Sequence, residues 1–118
     1  MLLMELIGRL NKCVPDLTLD WNHKTAVVLK HPAMDKPWGK IVTCSRFGLR
    51  VELRTESGRF TPAKIDRLGP DPEIKRNQNH DWIMFTFRSM DQIDAQQLKS
   101  VMLEAEESLL GRQLELRS

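Results

Sequence analysis

Arginine and lysine side chains are concentrated in the middle of this chain, where they could bind phosphate or another anion. From Asp35 to Arg67, eight basic residues outnumber four acidic ones, whereas from Ser89 to Ser118 six acidic residues outnumber three basic ones. Guanidinium groups suit phosphate because they offer paired donors and stay charged. We therefore expect an anion or nucleic-acid surface, with a tryptophan that could stack on a base. Its candidate residues are Lys40, Arg46, Arg50, Arg54, Arg59 and Trp38.

The same pattern is also typical of a sheet face that only meets water. Glu52 lies between Arg50 and Arg54, and arginine and glutamate often pair on such a face. Trp38 could likewise fold back over the core, since tryptophan is usually largely buried. The net charge of the whole chain, +2, is too small to require a polyanionic partner. Both interpretations of the basic segment stay open.

The remaining candidates for chemistry give weaker patterns. The three histidines are His23, His31 and His80. None has a histidine or cysteine partner at metal-site spacing, so we expect no metal and no cofactor. Asp35 followed by Glu52-x-Arg is similar to the acidic pattern of metal-dependent nucleases, in which the acids hold Mg²⁺, but arginine stands where that pattern has lysine.

Hydrophobic periodicity predicts a helix at each end of the chain and strands between them. Apolar residues at three- and four-residue spacing indicate an N-terminal helix ended by Pro15 and a C-terminal helix that Asp94 caps and Gly111 ends. A short helix should begin at Pro62, and residues 70–80 should form a polar loop. Patterns typical of strands cover residues 17–21, 25–30, 40–46, 49–54 and 82–87.

These elements predict one α+β domain over residues 1–111, followed by a tail, residues 112–118, that can fray. The order α-β-β-β-β-α-β-α, rich in hairpins, favours an antiparallel sheet of about five strands with the terminal helices packed on it. In strand 49–54 the apolar positions should be buried and the charged ones exposed, since strand side chains alternate between faces. The apolar set is Leu49, Val51 and Leu53, and the charged set is Arg50, Glu52 and Arg54.

The sequence favours a cytoplasmic protein without a membrane span. Its longest apolar runs have four residues, far below the roughly 20 that cross a bilayer. The N-terminal segment lacks the basic region and cleavage site of a signal peptide. The two cysteines, Cys13 and Cys44, have no redox or zinc spacing, so we expect reduced thiols.

The order of elements and two short motifs resemble the MmcQ/YjbR-like family of small bacterial proteins. The motifs are Trp38-Gly39-Lys40-Ile41, which opens a strand, and Asp81-Trp82-Ile83, which opens the last strand before a long helix. The resemblance covers roughly residues 1–110. It implies a double-wing α+β fold like that of a phage transcription factor, with DNA binding implied by analogy alone. It assigns no functional residue.

The leading functional hypothesis is a non-enzymatic binding module whose basic hairpin face meets nucleic acid or another anionic partner. One alternative is a metal-dependent phosphodiesterase built on Asp35 and Glu52. Another is a protein-interaction domain that uses the acidic C-terminal helix. The sequence does not indicate an oligomeric state.

Overall fold

The structure of the protein is a computed structural model that describes residues 2–43 and 48–117, with residues 112–117 described by their backbone alone. The helices are α1 (Leu2–Cys13), α2 (Pro62–Ile65) and α3 (Ala95–Arg117), with a 3-10 helix at Met90–Gln92. The strands are β1 (Thr18–Asp20), β2 (Ala26–Lys30), β3 (Gly39–Val42), β4 (Leu49–Glu56), β5 (Glu73–Arg76) and β6 (His80–Phe87).

The strands form one sheet in the order β1-β2-β3-β4-β6-β5, and every neighbouring pair is antiparallel. The prediction of an α+β domain with an antiparallel sheet and helices at both ends is confirmed, but the sheet has six strands rather than five. The additional strand is β5, which lies in the segment expected to be a loop. It is an edge strand, paired only with β6, and three of its four residues are exposed. Its sequence therefore shows little of the apolar alternation that reveals a strand.

The helices begin where the sequence predicts, but α3 ends later. The Asp94 carboxylate accepts hydrogen bonds from Gln96 N (2.9 Å) and Gln97 N (3.2 Å), so the predicted cap is confirmed. Helix α3 continues past Gly111 to Arg117, and the predicted end at Gly111 is wrong. Glycine ends a helix by adopting a positive φ, and Gly111 does not adopt one.

The helices pack on one face of the sheet and leave the other without a helix. Helix α3 contacts β4, while α1 and α2 contact α3. Along β6, buried residues alternate with half-exposed ones, as they do in a strand with one covered face. We call the face opposite the helices the open face. Its residues are Thr18, Asp20, Ala26, Val28, Lys30, Lys40, Val42, Arg50, Glu52, Arg54, Glu56, Glu73, Lys75, His80, Trp82, Met84 and Thr86.

The predicted burial pattern of β4 is confirmed at three of its six positions: Val51 and Leu53 are fully buried and Arg50 is exposed. Leu49 and Glu52 are half-buried. The largest departure is Arg54, which the sequence predicts to be exposed and which is 9% exposed. In the described part of the chain, no helix is both long and apolar enough to cross a bilayer.

Candidate functional site

Two of the predicted anion-binding residues, Lys40 and Arg50, lie on neighbouring strands of the open face. Lys40 is exposed, and no acidic side chain of the described residues pairs with it. Arg50 donates to Glu52 Oε2 from Nε (3.0 Å) and from Nη2 (2.6 Å). This pair holds the Arg50 guanidinium in one orientation and leaves Nη1 for another acceptor. Glu52, the register partner of Lys40, lowers the positive charge of this region.

Arg54 lies on the same face, but its side chain is covered. Its Nη2 donates to Lys36 O at 3.3 Å, its Nη1 lies 3.5 Å from His80 Nε2, and its Nε has no hydrogen-bond partner. No carboxylate of the described residues forms an ion pair with it. Burial lowers the pKa of Arg54 below its ordinary value, but arginine stays charged at neutral pH. The result is an uncompensated positive charge just beneath the open face.

Trp38 is fully buried, so its ring is not available to stack on a base. Its Nε1 donates to Arg54 O at 3.1 Å, and its ring packs edge-on against His31 with centroids 6.1 Å apart. The cause is a local irregularity at the start of β3. Trp38 N donates to Leu29 O at 2.8 Å, and Gly39 is the register partner of Leu29. Trp38 and Gly39 therefore both lie opposite Leu29, which is the arrangement of a β-bulge. This extra residue lets the Trp38 ring enter the core.

The remaining predicted residues do not join Lys40 and Arg50. Arg59 lies on the helix side, where its Nε is 3.5 Å from Glu104 of α3 and its Nη1 is 3.9 Å from Glu56. Lys64 also pairs with Glu104, at 3.0 Å. These ion pairs occupy Glu104, which is part of the acidic surface of α3. Arg46 lies outside the described residues, as does Cys44.

Three further residues of the open face were not among the predicted site residues: Trp82, Met84 and Lys75. Trp82 and Met84 are half-exposed in β6, and Trp82 is the register partner of both Arg54 and Lys75. Lys75 is exposed and has no acidic partner among the described residues. In the structure residues 83 and 85 are the buried positions of β6, so strand alternation places Trp82 and Met84 on the open face. The sequence does not show this alternation, because residues 82–85 are all apolar.

Two acidic groups of the open face, Asp20 and Glu52, are engaged in contacts of the fold. The pKa of Asp20 lies below its ordinary value because Asn22 N donates to its carboxylate and Lys30 lies nearby. The described residues hold no group of three or more histidine, cysteine or acidic residues able to bind a metal. Asp35 is exposed in the loop between β2 and β3, and Glu52 is paired with Arg50. The geometry therefore gives no support to a phosphodiesterase site on these two acids.

Among the histidines, His31 has a defined role in the fold. It is 5% exposed, its Nε2 lies 2.8 Å from Glu106 Oε2, and Ala33 N donates to its Nδ1 at 3.1 Å. Because Nδ1 accepts a hydrogen bond, the proton of the neutral ring lies on Nε2 and points to Glu106. This contact fixes the loop after β2 to α3 and leaves neither ring nitrogen for a ligand.

Comparisons with protein-family models, with curated proteins and with solved structures found no match to this chain.

Proposed function

We propose that the protein is a non-enzymatic module that binds single-stranded nucleic acid across the open face of its sheet. The observation that carries this proposal is the half-exposed Trp82 and Met84, which lie between cationic side chains on a face without a helix. Sheet surfaces of this composition suit single strands, because aromatic rings stack on bases while cations meet phosphates. The resemblance to the MmcQ/YjbR-like family implies DNA binding by analogy and is part of the same proposal. We also propose a cytoplasmic location, where such partners occur.

The cationic contribution comes mainly from two lysines that have no acidic partner among the described residues. Lys40 and Lys75 lie on either side of the β4–β6 pair and are exposed. Arg50 retains Nη1, and the buried Arg54 adds a positive field beneath the surface. Glu52 and Glu73 also lie on the open face, which moderates its charge. Binding should therefore be weak to moderate and depend strongly on salt.

The apolar contribution favours unpaired over paired strands. Trp82 is flanked in register by Arg54 on one side and Lys75 on the other. A ring on a sheet surface can stack only on a base that is not already stacked in a duplex. Each base stacked on an aromatic side chain contributes about 1–3 kcal/mol. Duplex DNA offers no such base and should bind through phosphate contacts alone.

The test is a titration of fluorescein-labelled oligothymidylate at about 50 and 200 mM salt, the range over which phosphate contacts weaken markedly. The variant is Lys40→Gln with Lys75→Gln, and the matched control is Lys12→Gln with Lys99→Gln, two exposed lysines of α1 and α3. Both variants lose the same net charge. We expect the first to flatten the log–log salt slope by about 1.4, since each phosphate contact on a single strand contributes about 0.7.

The control should keep the slope of the parent protein, and Trp82→Ala should weaken binding of the single strand more than binding of a duplex. Equal losses in the lysine variant and its control would show that only net charge matters, which would contradict a site on the open face. No association at the lower salt concentration would overturn the proposed function.

A further inference from the structure

The open face ends in a pocket of about 420 Å³ between the end of β6 and the chain that leads into β5. This volume lies in the lower part of the range typical of small-molecule sites, about 300–1,000 Å³. The side chains that could recognise a ligand there are Arg50, Asp71, Glu73, Met84, Thr86 and Arg88. Four are charged, and their formal charges cancel.

The wall of the pocket is held in place by the fold. Gly69 has a φ of +99°, and a Cβ there would lie 2.7 Å from Thr86 O, so only glycine lets the chain pass so close to β6. Pro70 and Pro72 then restrict the backbone that leads into β5. On the other side, Arg88 N donates to Gln92 Oε1 at 2.7 Å. The pocket is therefore formed before a ligand binds.

The carboxylates of this pocket are Asp71 and Glu73. No basic side chain or hydrogen-bond donor of the described residues pairs with either of them, although both line the same pocket as Arg50. Arg50 is held by Glu52 instead. The backbone of Glu73 lies in β5, where Glu73 is the register partner of Met84. The pocket thus combines a carboxylate acceptor, an apolar side chain and a cation, which together suit a ligand that carries N–H donors on a flat ring beside a phosphate.

We infer that this pocket binds a guanine base of the strand that crosses the open face, with Glu73 as the acceptor. This inference rests on the proposed function. A carboxylate accepts hydrogen bonds only, and guanine presents two adjacent donors, N1–H and the N2 amino group, that match its two oxygens. Adenine and cytosine place an acceptor nitrogen beside their amino group, and thymine flanks its one N–H with two carbonyl oxygens. Each would bring an acceptor toward the carboxylate.

The orientation of the strand follows from the same residues. With its Watson–Crick edge at Glu73, the base can pack against Met84, and its phosphate can approach Arg50 at the pocket rim. Arg50 and Arg54 are four residues apart on β4, which corresponds to about 13 Å along a strand. The next nucleotides can therefore reach Trp82 without leaving the sheet.

The test compares labelled strands of alternating thymidine and guanosine, thymidine and adenosine, and thymidine and cytidine. We expect the guanosine strand to bind about tenfold more tightly, the scale of one bidentate base contact. Glu73→Gln, which leaves only one acceptor oxygen, should reduce the difference to about twofold. The matched control is Glu107→Gln, an exposed glutamate on α3, and it should keep the full preference.

Each result separates the inference from the proposed function. Preference for guanosine that is lost in Glu73→Gln and kept in Glu107→Gln supports the inference. Equal binding of the three strands, or a guanosine preference that survives in Glu73→Gln, overturns the inference and leaves the proposed function intact. Binding of none of the strands overturns both.

Discussion

At the scale of single residues, Asp81 shows how this fold uses a buried charge. Its side chain is fully buried, Gly58 N donates to Oδ2 at 2.9 Å, and Arg76 pairs with the same oxygen. Arg76 also donates to Phe60 O at 3.1 Å. Burial raises the pKa of Asp81, but the bonds from Gly58 and Arg76 outweigh it, so the pKa lies below the ordinary 3.8. One carboxylate therefore ties the turn after β4 to the β5–β6 hairpin.

This pairing predicts an acid-dependent stability. The pKa of Asp81 is lower in the folded state than in the unfolded state. The contribution of the ionised carboxylate to folding stability is therefore complete above the pH range in which an ordinary carboxyl group titrates, and it is lost as the pH falls through the folded-state pKa. At neutral pH, Asp81→Asn should cost about 1–3 kcal/mol of unfolding free energy. Urea melts should show the gap between parent and variant closing as the pH falls from about 7 to about 2. A gap that stays constant with pH would contradict this account.

At the scale of elements, the approach of β3 to β4 depends on a residue without a side chain. A Cβ at Gly39 would lie 2.1 Å from Glu52 O, a backbone atom that cannot move without disturbing β4. The same place carries the extra residue that sends Trp38 into the core. The strand that bears Lys40 is therefore positioned by a backbone contact.

Two glycine-to-alanine substitutions should distinguish the effect of this close contact on stability from the general effect of adding a methyl group. Gly39→Ala should destabilise the protein by about 1–3 kcal/mol, the cost of forcing atoms into a packed site. Gly8→Ala in α1 meets nothing within 4 Å and should be neutral or stabilise by up to about 1 kcal/mol through helix propensity. Chemical denaturation of both variants measures these effects. Equal stability of the two variants would show that the β3–β4 contact yields easily.

The elements also show what the sequence could predict. Strong alternation predicted β4, and the register buried Val51 and Leu53 as expected. Helix α3 was visible from its apolar stripe and its Asp94 cap. Strand β5 was hidden because a polar edge strand has no apolar period, although its partner β6 is the next strand along the chain.

The candidate site could be predicted only where strand alternation decides which side chains are exposed. The exposure of Lys40 and Arg50 followed from that alternation. The burial of Arg54 and Trp38 depends on the loop between β2 and β3 and on the extra residue beside Leu29, which no local pattern encodes. Trp82 was overlooked as a surface residue because its apolar neighbours suggest a strand buried on both faces.

At the scale of the whole molecule, the two sides of the sheet use charge differently. On the helix side, Glu104 pairs with Lys64 and Arg59, and Glu106 binds His31, so these acids of α3 stabilise the fold. On the open face, Lys30 and Arg50 pair with Asp20 and Glu52. The exposed Lys40 and Lys75, however, have no acidic partner among the described residues. This difference favours a partner on the open face over one on the acidic helix.

The most direct test of a binding site on the open face uses the methyl groups of methionine. Met84 lies half-exposed on the open face, whereas Met4 is 54% exposed on α1 and serves as an internal control. In protein labelled with ¹³C-methyl methionine, NMR titration with oligothymidylate at low salt should shift the Met84 signal and leave the Met4 signal in place. A shift of Met4 without one of Met84 would contradict a site on the open face, and so would the absence of any shift.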